Sequence, residues 1–456
     1  MATVGDGKAM RTRVPRRSHG EWEPAPDRKD PVALLRAADS ARVPELVAIR
    51  YERMLASEFA YFRGAAAVMA ADLSATPVTG LTVQCCGDAH PANFGLFATP
   101  ERRLVFSVTD FDETLCGPWE WDCKRVAAGL AIAAKEARLS EARARRVAFA
   151  VGEEYQRRAV EYASMSMLEV WYSTVDVREI ARLMRQSLAE DPRRVFARAR
   201  RHHSLHAVGK LTEFEDGRTR FRHVPPLLCR LDDDNEAREE VEAVLDDYRA
   251  SLREERRHLL TRYELVDVAR KVVGVGSVGT HCWIALLRNR NSPDEPLVLQ
   301  FKEASTSVLE QYLGTSEYDH HGQRVVVGQR SMQAFPDIFL GWASAPSGRA
   351  YYVRQLEDMK GSFDILHMDA LGLEAYARLC GWSLARAHAR SGDSPTIASY
   401  LGSADVFDNA LADFAMRYAA QNEHDYAALQ KAAKKGKIPL GSPDEPAPTL
   451  ASLPRS

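Results

Sequence analysis

The chain has 456 residues, of which 45% are hydrophobic and 27% charged, as in an ordinary globular protein. Its formal net charge is −2, so no overall charge excess favours nucleic acid or an anionic membrane as a partner. The start of the chain lacks the apolar run of a signal peptide, and the 7 cysteines show no disulfide spacing. We therefore expect a cytoplasmic protein with reduced thiols and no membrane association.

The first part of the chain reads mainly as helices around one loop-rich segment. Residues 1–30 carry Gly, Pro and both charge signs without periodicity, which predicts disorder. Apolar residues recur at helical spacing from Val32 to Leu73, and a short strand over 81–85 follows. A hairpin over 94–108 and helices over 119–188 come next.

From residue 265 the pattern becomes strand-like, and after residue 361 helices return. Strands are predicted at 282–287, 296–301, 337–342 and 351–356, with polar helical sequence over 307–333. The expected organisation is a disordered 1–30, a helical part over 31–264, a strand-rich part over 265–360, a second helical part over 361–435 and a loose tail over 436–456.

The segment from Cys86 to Asn93 contains an Asp followed five residues later by an Asn, the spacing of a kinase catalytic loop. In kinases the Asp accepts the proton of the attacking hydroxyl and the Asn binds magnesium. We therefore predict that Asp88 is a catalytic base and Asn93 a metal ligand. His90 is a second catalytic candidate that would contact the phosphates or the base, and a structural histidine is its alternative.

Further carboxylates follow the second strand of the predicted hairpin. Asp110 occupies the place where kinases keep their other magnesium ligand, and an oxygen donor of this kind suits magnesium. Asp112 and Glu113 could assist the metal or lie in a solvated loop. Asp122 could cap the helix that it opens or brace the catalytic loop.

A glycine-rich loop lies between two strand-like runs. A dinucleotide site would need a helix directly after the glycines, but a strand follows here. The pattern therefore favours a hairpin lid over nucleotide phosphates, with a plain glycine hairpin as the alternative. The candidate nucleotide-binding residues of this loop are Gly274, Gly276, Ser277 and Gly279.

Lys302 lies on an apolar strand, where burial without a partner would be costly. In kinases such a lysine reaches the phosphates and pairs with a helix glutamate, for which Glu310 and Glu317 are candidates. An edge-strand lysine is the alternative. We add Glu357, at the start of a hinge near 357–361, to the nucleotide-binding candidates.

Two groups of basic residues are candidate anion sites. Arg50, Arg53 and Arg63 could bind a phosphate or an acidic substrate, and helix-surface salt bridges are the alternative. The basic stretch 193–222 has few interleaved aromatic residues, which favours a solvated face over nucleic-acid binding.

Together these motifs resemble an uncharacterised bacterial family, the domain of unknown function 2252. The resemblance runs from about Val43 to Ala433 and is carried by residues 62–64, 86–95, 110–113, 117–122, 328–330 and 387–390. The loop is more distantly similar to that of aminoglycoside phosphotransferases and related small-molecule kinases. Their His-Gly-Asp-x-x-x-x-Asn becomes Cys86-Gly87-Asp88 to Asn93, so the role of the usual histidine is open here.

The distant resemblance implies an α+β, two-lobed, protein-kinase-like fold that binds ATP and Mg²⁺. Because the glycine loop follows the catalytic loop, the fold would be circularly permuted, with the helical lobe split around a strand-rich small lobe. The expected function is ATP- and magnesium-dependent transfer of phosphate to a hydroxyl of a small-molecule acceptor. AMP transfer by the same site and a catalytically inactive nucleotide-binding regulator are the alternatives, while the acceptor and the oligomeric state stay open.

Overall fold

The computed structural model describes residues 4–184, 192–201, 204–215, 217–231, 235–274, 276, 278–292, 295–356 and 359–441. Within these ranges an extensive helical region adjoins a six-stranded antiparallel sheet, in agreement with the expected mixed α+β class. Two candidate site residues, Ser277 and Glu357, lie outside the described residues.

The first part of the chain forms most of the helical region and two short hairpin-like sheets. Its elements are α1 (Val4–Arg13), α2 (Pro31–Asp39), α3 (Pro44–Met54), α4 (Glu58–Gly64), α5 (Ala66–Leu73), β1 (Thr82–Cys85), β2 (Phe94–Ala98), β3 (Leu104–Val108), β4 (Leu115–Pro118), α6 (Trp119–Glu136), α7 (Glu141–Ala163), α8 (Met167–Tyr172) and α9 (Val177–Met184).

The second part contributes the large sheet and the last three helices. Its elements are α10 (Pro192–Arg201), α11 (Ser204–Leu211), β5 (Thr212–Glu215), β6 (Arg218–Phe221), β7 (Leu228–Arg230), α12 (Asn235–Ser251), α13 (Glu254–Leu260), β8 (Tyr263–Lys271), β9 (Cys282–Asn289), β10 (Pro296–Glu303), α14 (Glu310–Leu313), α15 (His321–Met332), β11 (Gly341–Ser344), β12 (Ala350–Gln355), α16 (Ala370–Ala389), α17 (Ser394–Leu401) and α18 (Val406–Lys434).

The N-terminal residues from Val4 onward differ from the expectation of disorder. After the helix α1, the side chain of Trp22 is buried against aromatic residues of α18. Arg28 donates to Asp72 at 2.6 Å and lies 2.7 Å from a carboxylate oxygen of Asp425. A guanidinium shared by two buried carboxylates is a strong local tie, which a composition-based expectation of disorder does not detect.

The core of the helical region is built by α6, α7, α16 and α18. The sequence of α6 contains five alanines and one glycine, which allows close approach of neighbouring segments. At Gly129 an added Cβ would lie only 2.4 Å from Cδ of Pro91. The loop over 86–93, predicted to be the catalytic loop, therefore packs directly on α6.

The large sheet has the strand order β11-β12-β10-β9-β8-β7. Strands β8 and β9 pair as an antiparallel hairpin, which confirms the prediction of strands on both sides of the glycine loop. On β10, Leu299 and Phe301 pack towards α12, whereas Val298 joins a smaller cluster with Leu211 of α11. Because side chains alternate along a strand, Lys302 lies on the Val298 face, away from α12.

The strand predicted over 337–342 was placed too early. Asp337 accepts from the backbone N–H of Phe339 at 2.9 Å, which forms a turn, and β11 begins only at Gly341.

The described part of the chain contains no helix with both the length and the apolar character needed to cross a membrane. The 7 cysteines are all free thiols, as expected.

Candidate functional site

The catalytic loop between β1 and β2 is braced by a buried aspartate. Asp122 accepts from the backbone N–H of Cys86 at 2.8 Å and from that of Gly87 at 3.2 Å, and it lies 3.3 Å from Nε2 of His388. Gly87 has φ +82°, and an added Cβ would lie 2.1 Å from the main-chain oxygen of Glu113. Of the two roles considered for Asp122, bracing the loop is therefore the one observed.

Asp88 lies at the mouth of this loop and is paired with a buried arginine. Nε of Arg125 donates to a carboxylate oxygen of Asp88 at 2.8 Å, and Arg125 also donates to the main-chain oxygen of Phe62. Burial raises the pKa of Asp88 above its ordinary value, although the charge of Arg125 opposes that shift. The Asp88 side chain keeps 16% of its surface exposed, so it can be reached from the cavity.

His90 lies beside Asp88 and is itself buried. Its Nε2 is 3.8 Å from a carboxylate oxygen of Asp88, and its Nδ1 has no hydrogen-bond partner among the described residues. Burial lowers the pKa of His90 well below the ordinary value, and the charges of Arg63 and Arg125 lower it further. The imidazole is therefore neutral, which suits a contact to the base better than the role of a proton donor.

The two predicted metal ligands that follow Asp88 are brought close to it. The side-chain amide nitrogen of Asn93 donates to the main-chain oxygen of Asp88 at 2.9 Å. This contact leaves the amide oxygen available to coordinate a metal ion. The backbone N–H of Thr109 donates to the main-chain oxygen of Asn93 at 2.8 Å, which ties the end of β3 to the loop next to Asp110. Asn93 and Asp110 line the same two cavities.

These two residues are compatible with magnesium. Searched over the described residues, the structure has no group of three or more His, Cys, Asp or Glu side chains that could hold a metal. Magnesium does not require such a group, because it commonly takes one or two protein oxygen ligands together with substrate phosphates and water. The oxygens of Asn93 and Asp110 meet that requirement.

Lys302 enters the site from the large sheet. Its side chain is only 2% exposed, and its ammonium forms an ion pair with Asp112 and lies 3.7 Å from Asp110. The hydroxyl of Tyr352, on the neighbouring strand β12, donates to the other carboxylate oxygen of Asp112 at 2.8 Å. Burial alone would lower the pKa of Lys302, but the two carboxylates raise it above the ordinary value. Lys302 is therefore a buried, paired cation.

The expectation that Lys302 pairs with a helix glutamate is wrong. Glu310 instead accepts from the backbone N–H of Ser307 at 3.0 Å and lies 3.7 Å from Nε of Arg324. Neither Glu310 nor Glu317 forms an ion pair with the lysine. The partner Asp112 comes from the segment after β3, far away in sequence, which strand or helix spacing around Lys302 does not reveal.

The larger of the two cavities, of about 410 Å³, lies between the β2–β3 hairpin and the Lys302 face of the sheet. Five cationic side chains line it, whereas only two carboxylates do. The cations are Arg63, Lys271, Lys302, Arg354 and Lys360, and the carboxylates are Asp110 and Asp337. A cavity with this charge balance suits a polyphosphate. Of these residues, sequence reasoning missed Lys271, Arg354 and Lys360, which lie outside any motif.

The smaller cavity, of about 120 Å³, adjoins the larger one and contains the catalytic loop residues Asp88 and His90. Residues that line both cavities are Arg63, Asn93, Gly274 and Asp110. The predicted base, the predicted metal ligands and the glycine loop therefore meet where the two cavities join. Lys302 lines only the larger cavity.

The glycine loop is attached to the helical region. Its described glycines include Gly274 at φ +62° and Gly279 at φ +93°, conformations that favour glycine. The backbone N–H of Val43 donates to the main-chain oxygen of Gly279 at 2.7 Å, and the guanidinium of Arg53 donates to that of Gly274. Gly276 also lines the smaller cavity, so the loop forms its roof.

The three arginines singled out in the sequence have different roles. Arg50 lies 2.9 Å from Asp39 in a salt bridge that is buried and not on the helix surface, and Arg53 holds the glycine loop. Arg63 makes no side-chain hydrogen bond or ion pair with a described residue, although Asp88 and Asp110 are close enough to raise its pKa. Burial still lowers the pKa of Arg63 overall.

The comparisons with known proteins identify a family. The model of DUF2252, described as an uncharacterized protein conserved in bacteria, matches residues 42–432. The chain belongs to the DUF2252 family. The comparison with curated proteins found no match, and neither did the comparison with solved structures. The matched residues include the whole candidate site, but the description of the family names no activity.

Proposed function

We propose that this DUF2252 protein is an ATP- and magnesium-dependent phosphotransferase that acts on a hydroxyl of a small molecule. The observation that carries the proposal is the junction of two cavities at Asn93 and Asp110. On one side lies a cationic cavity with a buried lysine, and on the other lies a carboxylate that can act as a base. This is the arrangement that in-line phosphoryl transfer between two bound molecules requires.

The order of the elements supports a two-lobed, circularly permuted relative of the small-molecule kinases. The glycine hairpin β8–β9, the lysine strand β10, the helix α15 and the strands β11 and β12 follow one another in the chain. The catalytic loop precedes them, and the helices α16 to α18 follow them. In this proposal the six-stranded sheet is the core of the small lobe, and the chain returns to the helical lobe after β12.

In the proposed complex, the triphosphate occupies the larger cavity, where Lys302 contacts it. The amide oxygen of Asn93 and the carboxylate of Asp110 would hold magnesium, which when bound neutralises charge on the phosphates. Asp112, expected from sequence as a further ligand, is engaged by Lys302 and Tyr352. Its role in the proposal is to position the lysine.

The transfer step uses Asp88 as the general base. The acceptor oxygen forms a bond to the γ-phosphorus while the bond from that phosphorus to the β,γ-bridging oxygen breaks, and ADP leaves. The proton of the acceptor hydroxyl moves to Asp88, whose raised pKa makes it a better proton acceptor than an exposed aspartate. Arg63, which lines both cavities, would stabilise charge on the transferring phosphoryl group.

Calorimetric titration of magnesium–ATP tests the nucleotide site. We expect binding to the wild type, and a loss of about tenfold or more in affinity for Lys302→Met and for Asp110→Asn. Lys210→Met, at an exposed position of α11, is the matched control and should bind as the wild type does. Absence of binding to folded wild type, or equal binding by Lys302→Met, would contradict the proposal.

Incubation of the protein with magnesium–ATP and candidate hydroxyl compounds tests the two alternatives, which are AMP transfer and a catalytically inactive regulator. The mass of a modified acceptor distinguishes a transferred phosphate from a transferred AMP. Binding of magnesium–ATP without turnover on any hydroxyl compound would indicate the catalytically inactive regulator instead.

A further inference from the structure

The smaller cavity has one wall on which acidic groups are matched by donors. Asp88 is paired with Arg125, and Asp112 with Lys302. Glu113 accepts from the backbone N–H of Val308 at 2.7 Å. A further carboxylate, Glu303, accepts from the backbone N–H of His281 at 3.0 Å. This wall is therefore occupied by the base, the metal ligand Asp110 and carboxylates that already have partners.

Three guanidinium groups also line this cavity, together with the five carboxylates. Arg42, Arg50 and Arg63 line the cavity from the segments between α2 and α5. Among the described residues, Asp39 pairs with two of them, at 2.9 Å from Arg50 and 3.7 Å from Nε of Arg42. The guanidinium of Arg42 also donates to the main-chain oxygen of Val278. Within the described residues, the Nε atoms of all three arginines lack a hydrogen-bond partner.

Arg42 is more exposed than Arg50. Its side chain is 15% exposed, whereas that of Arg50 is 2% exposed and also donates to the main-chain oxygen of Gly64. Burial and the charge of Arg50 lower the pKa of Arg42 to about 10. Repulsion between these two neighbouring cations is relieved when an anion binds next to them.

We propose that the acceptor is a small hydroxylated anion whose anionic group binds at Arg42, with Arg50 behind it, while its hydroxyl points to Asp88. A carboxylate or a phosphate ester on a short polyol would supply this chemistry. The cavity volume of about 120 Å³ restricts the acceptor to a few carbon atoms. The inference rests on the proposed phosphotransferase function and adds the chemical class of its acceptor.

The test measures binding without turnover. Glycerate, glycerol phosphate and neutral glycerol are titrated separately into the wild type, Arg42→Gln and Arg42→Lys, and magnesium–ATP is titrated into each protein. We expect at least one anion to bind about tenfold or more tightly than glycerol. Arg42→Gln should lower the affinity for that anion by about tenfold, and Arg42→Lys should lower it by less, because the lysine keeps the charge. The anion that binds identifies a carboxylate or a phosphate ester as the preferred group.

Arg36→Gln, at an exposed position of α2, is the matched control and should leave all titrations unchanged. Equal affinity for glycerol and both anions, unchanged anion binding by Arg42→Gln, or no binding of either anion would overturn the inference. If magnesium–ATP still binds in those cases, the proposed function stands and only the acceptor class is wrong. If the anions bind at Arg42 but magnesium–ATP binds to no variant, the proposed function fails and the anion site is retained.

Discussion

The catalytic loop and the glycine loop are held in place in different ways. The catalytic loop is held from within the helical region, by Asp122, by the Arg125–Asp88 pair and by the close approach of Pro91 to Gly129. The glycine loop belongs to the sheet but is held from outside, through contacts to the segment around α3. The proposed base Asp88 is therefore held independently of the sheet, whereas the glycine loop over it depends on contact between the two regions.

The largest expected effect comes from removing the base without disturbing the nucleotide cavity. Asp88→Asn should lower the turnover of phosphoryl transfer by about 10²- to 10⁴-fold, because the proton acceptor is lost. Affinity for magnesium–ATP should stay close to that of the wild type, since Asp88 does not line the larger cavity. Steady-state kinetics measures the turnover, and calorimetry measures the affinity for magnesium–ATP. A melting curve shows whether the protein stays folded when Arg125 loses the charge of its partner. Unchanged turnover would exclude Asp88 as the base.

A pair of glycine substitutions measures how rigidly the catalytic loop is held. Gly80 and Gly87 have nearly the same φ, +86° and +82°, but an added Cβ meets no atom within 4 Å at Gly80 and a backbone oxygen at Gly87. Gly80→Ala should cost about 1–2 kcal/mol of unfolding free energy from backbone strain. Gly87→Ala should cost about 1–3 kcal/mol more from the clash. Denaturant unfolding checks both, and equal values would mean that the loop can move away from Glu113.

The pH dependence of stability tests the carboxylate next to this loop. Burial raises the pKa of Glu113 to about 7, against about 4.3 for an unfolded glutamate. Between these values the folded state binds the proton that the unfolded state has lost, so the contribution of Glu113 to stability is lost as pH rises from about 4.5 to 7. Glu113→Gln should therefore gain stability relative to the wild type over that window, by up to about 3–4 kcal/mol.

Asp408 provides the control for that measurement. Its pKa is also raised to about 7, first by burial and then by neighbouring carboxylates, and it lies on α18. Asp408 contributes the same pH dependence to the unfolding free energy of the wild type and of Glu113→Gln, so its contribution cancels when the two are subtracted. Parallel stability curves for these two proteins across the window would show that Glu113 ionises normally.

The smallest expected effect tests the attachment of the glycine loop. Arg53→Ala removes an exposed contact to the main-chain oxygen of Gly274, so the change in unfolding free energy should be below about 1 kcal/mol. Hydrogen exchange of the loop over 272–281 should nevertheless become faster, because its link to the helical region is weaker. Arg36→Ala should change neither quantity. A destabilisation as large as that of Gly87→Ala would mean that the two loops are held equally rigidly.

Local features of the sequence predicted much of the site. The spacing from Asp88 to Asn93 and the strand before Asp110 placed three polar residues at one junction, because each lies in a short loop whose ends are fixed by adjacent strands. The strands on both sides of the glycine loop were also predicted correctly. The buried arginine on α6 was missed, although the charged Lys124-Arg125 pair directly before the long apolar run of that helix was the available signal.

By itself, the sequence determined the mixed α+β class, the positions of the catalytic and glycine loops and the membership of the DUF2252 family. These depend on periodicity, turn residues and motif spacing, which are properties of short segments. Only the tertiary structure decided that Lys302 pairs with Asp112 and not with Glu310, and that Arg42 lines the cavity containing Asp88. The physical reason is that burial and charge pairing join residues far apart in the chain, and local sequence patterns do not specify which distant groups meet.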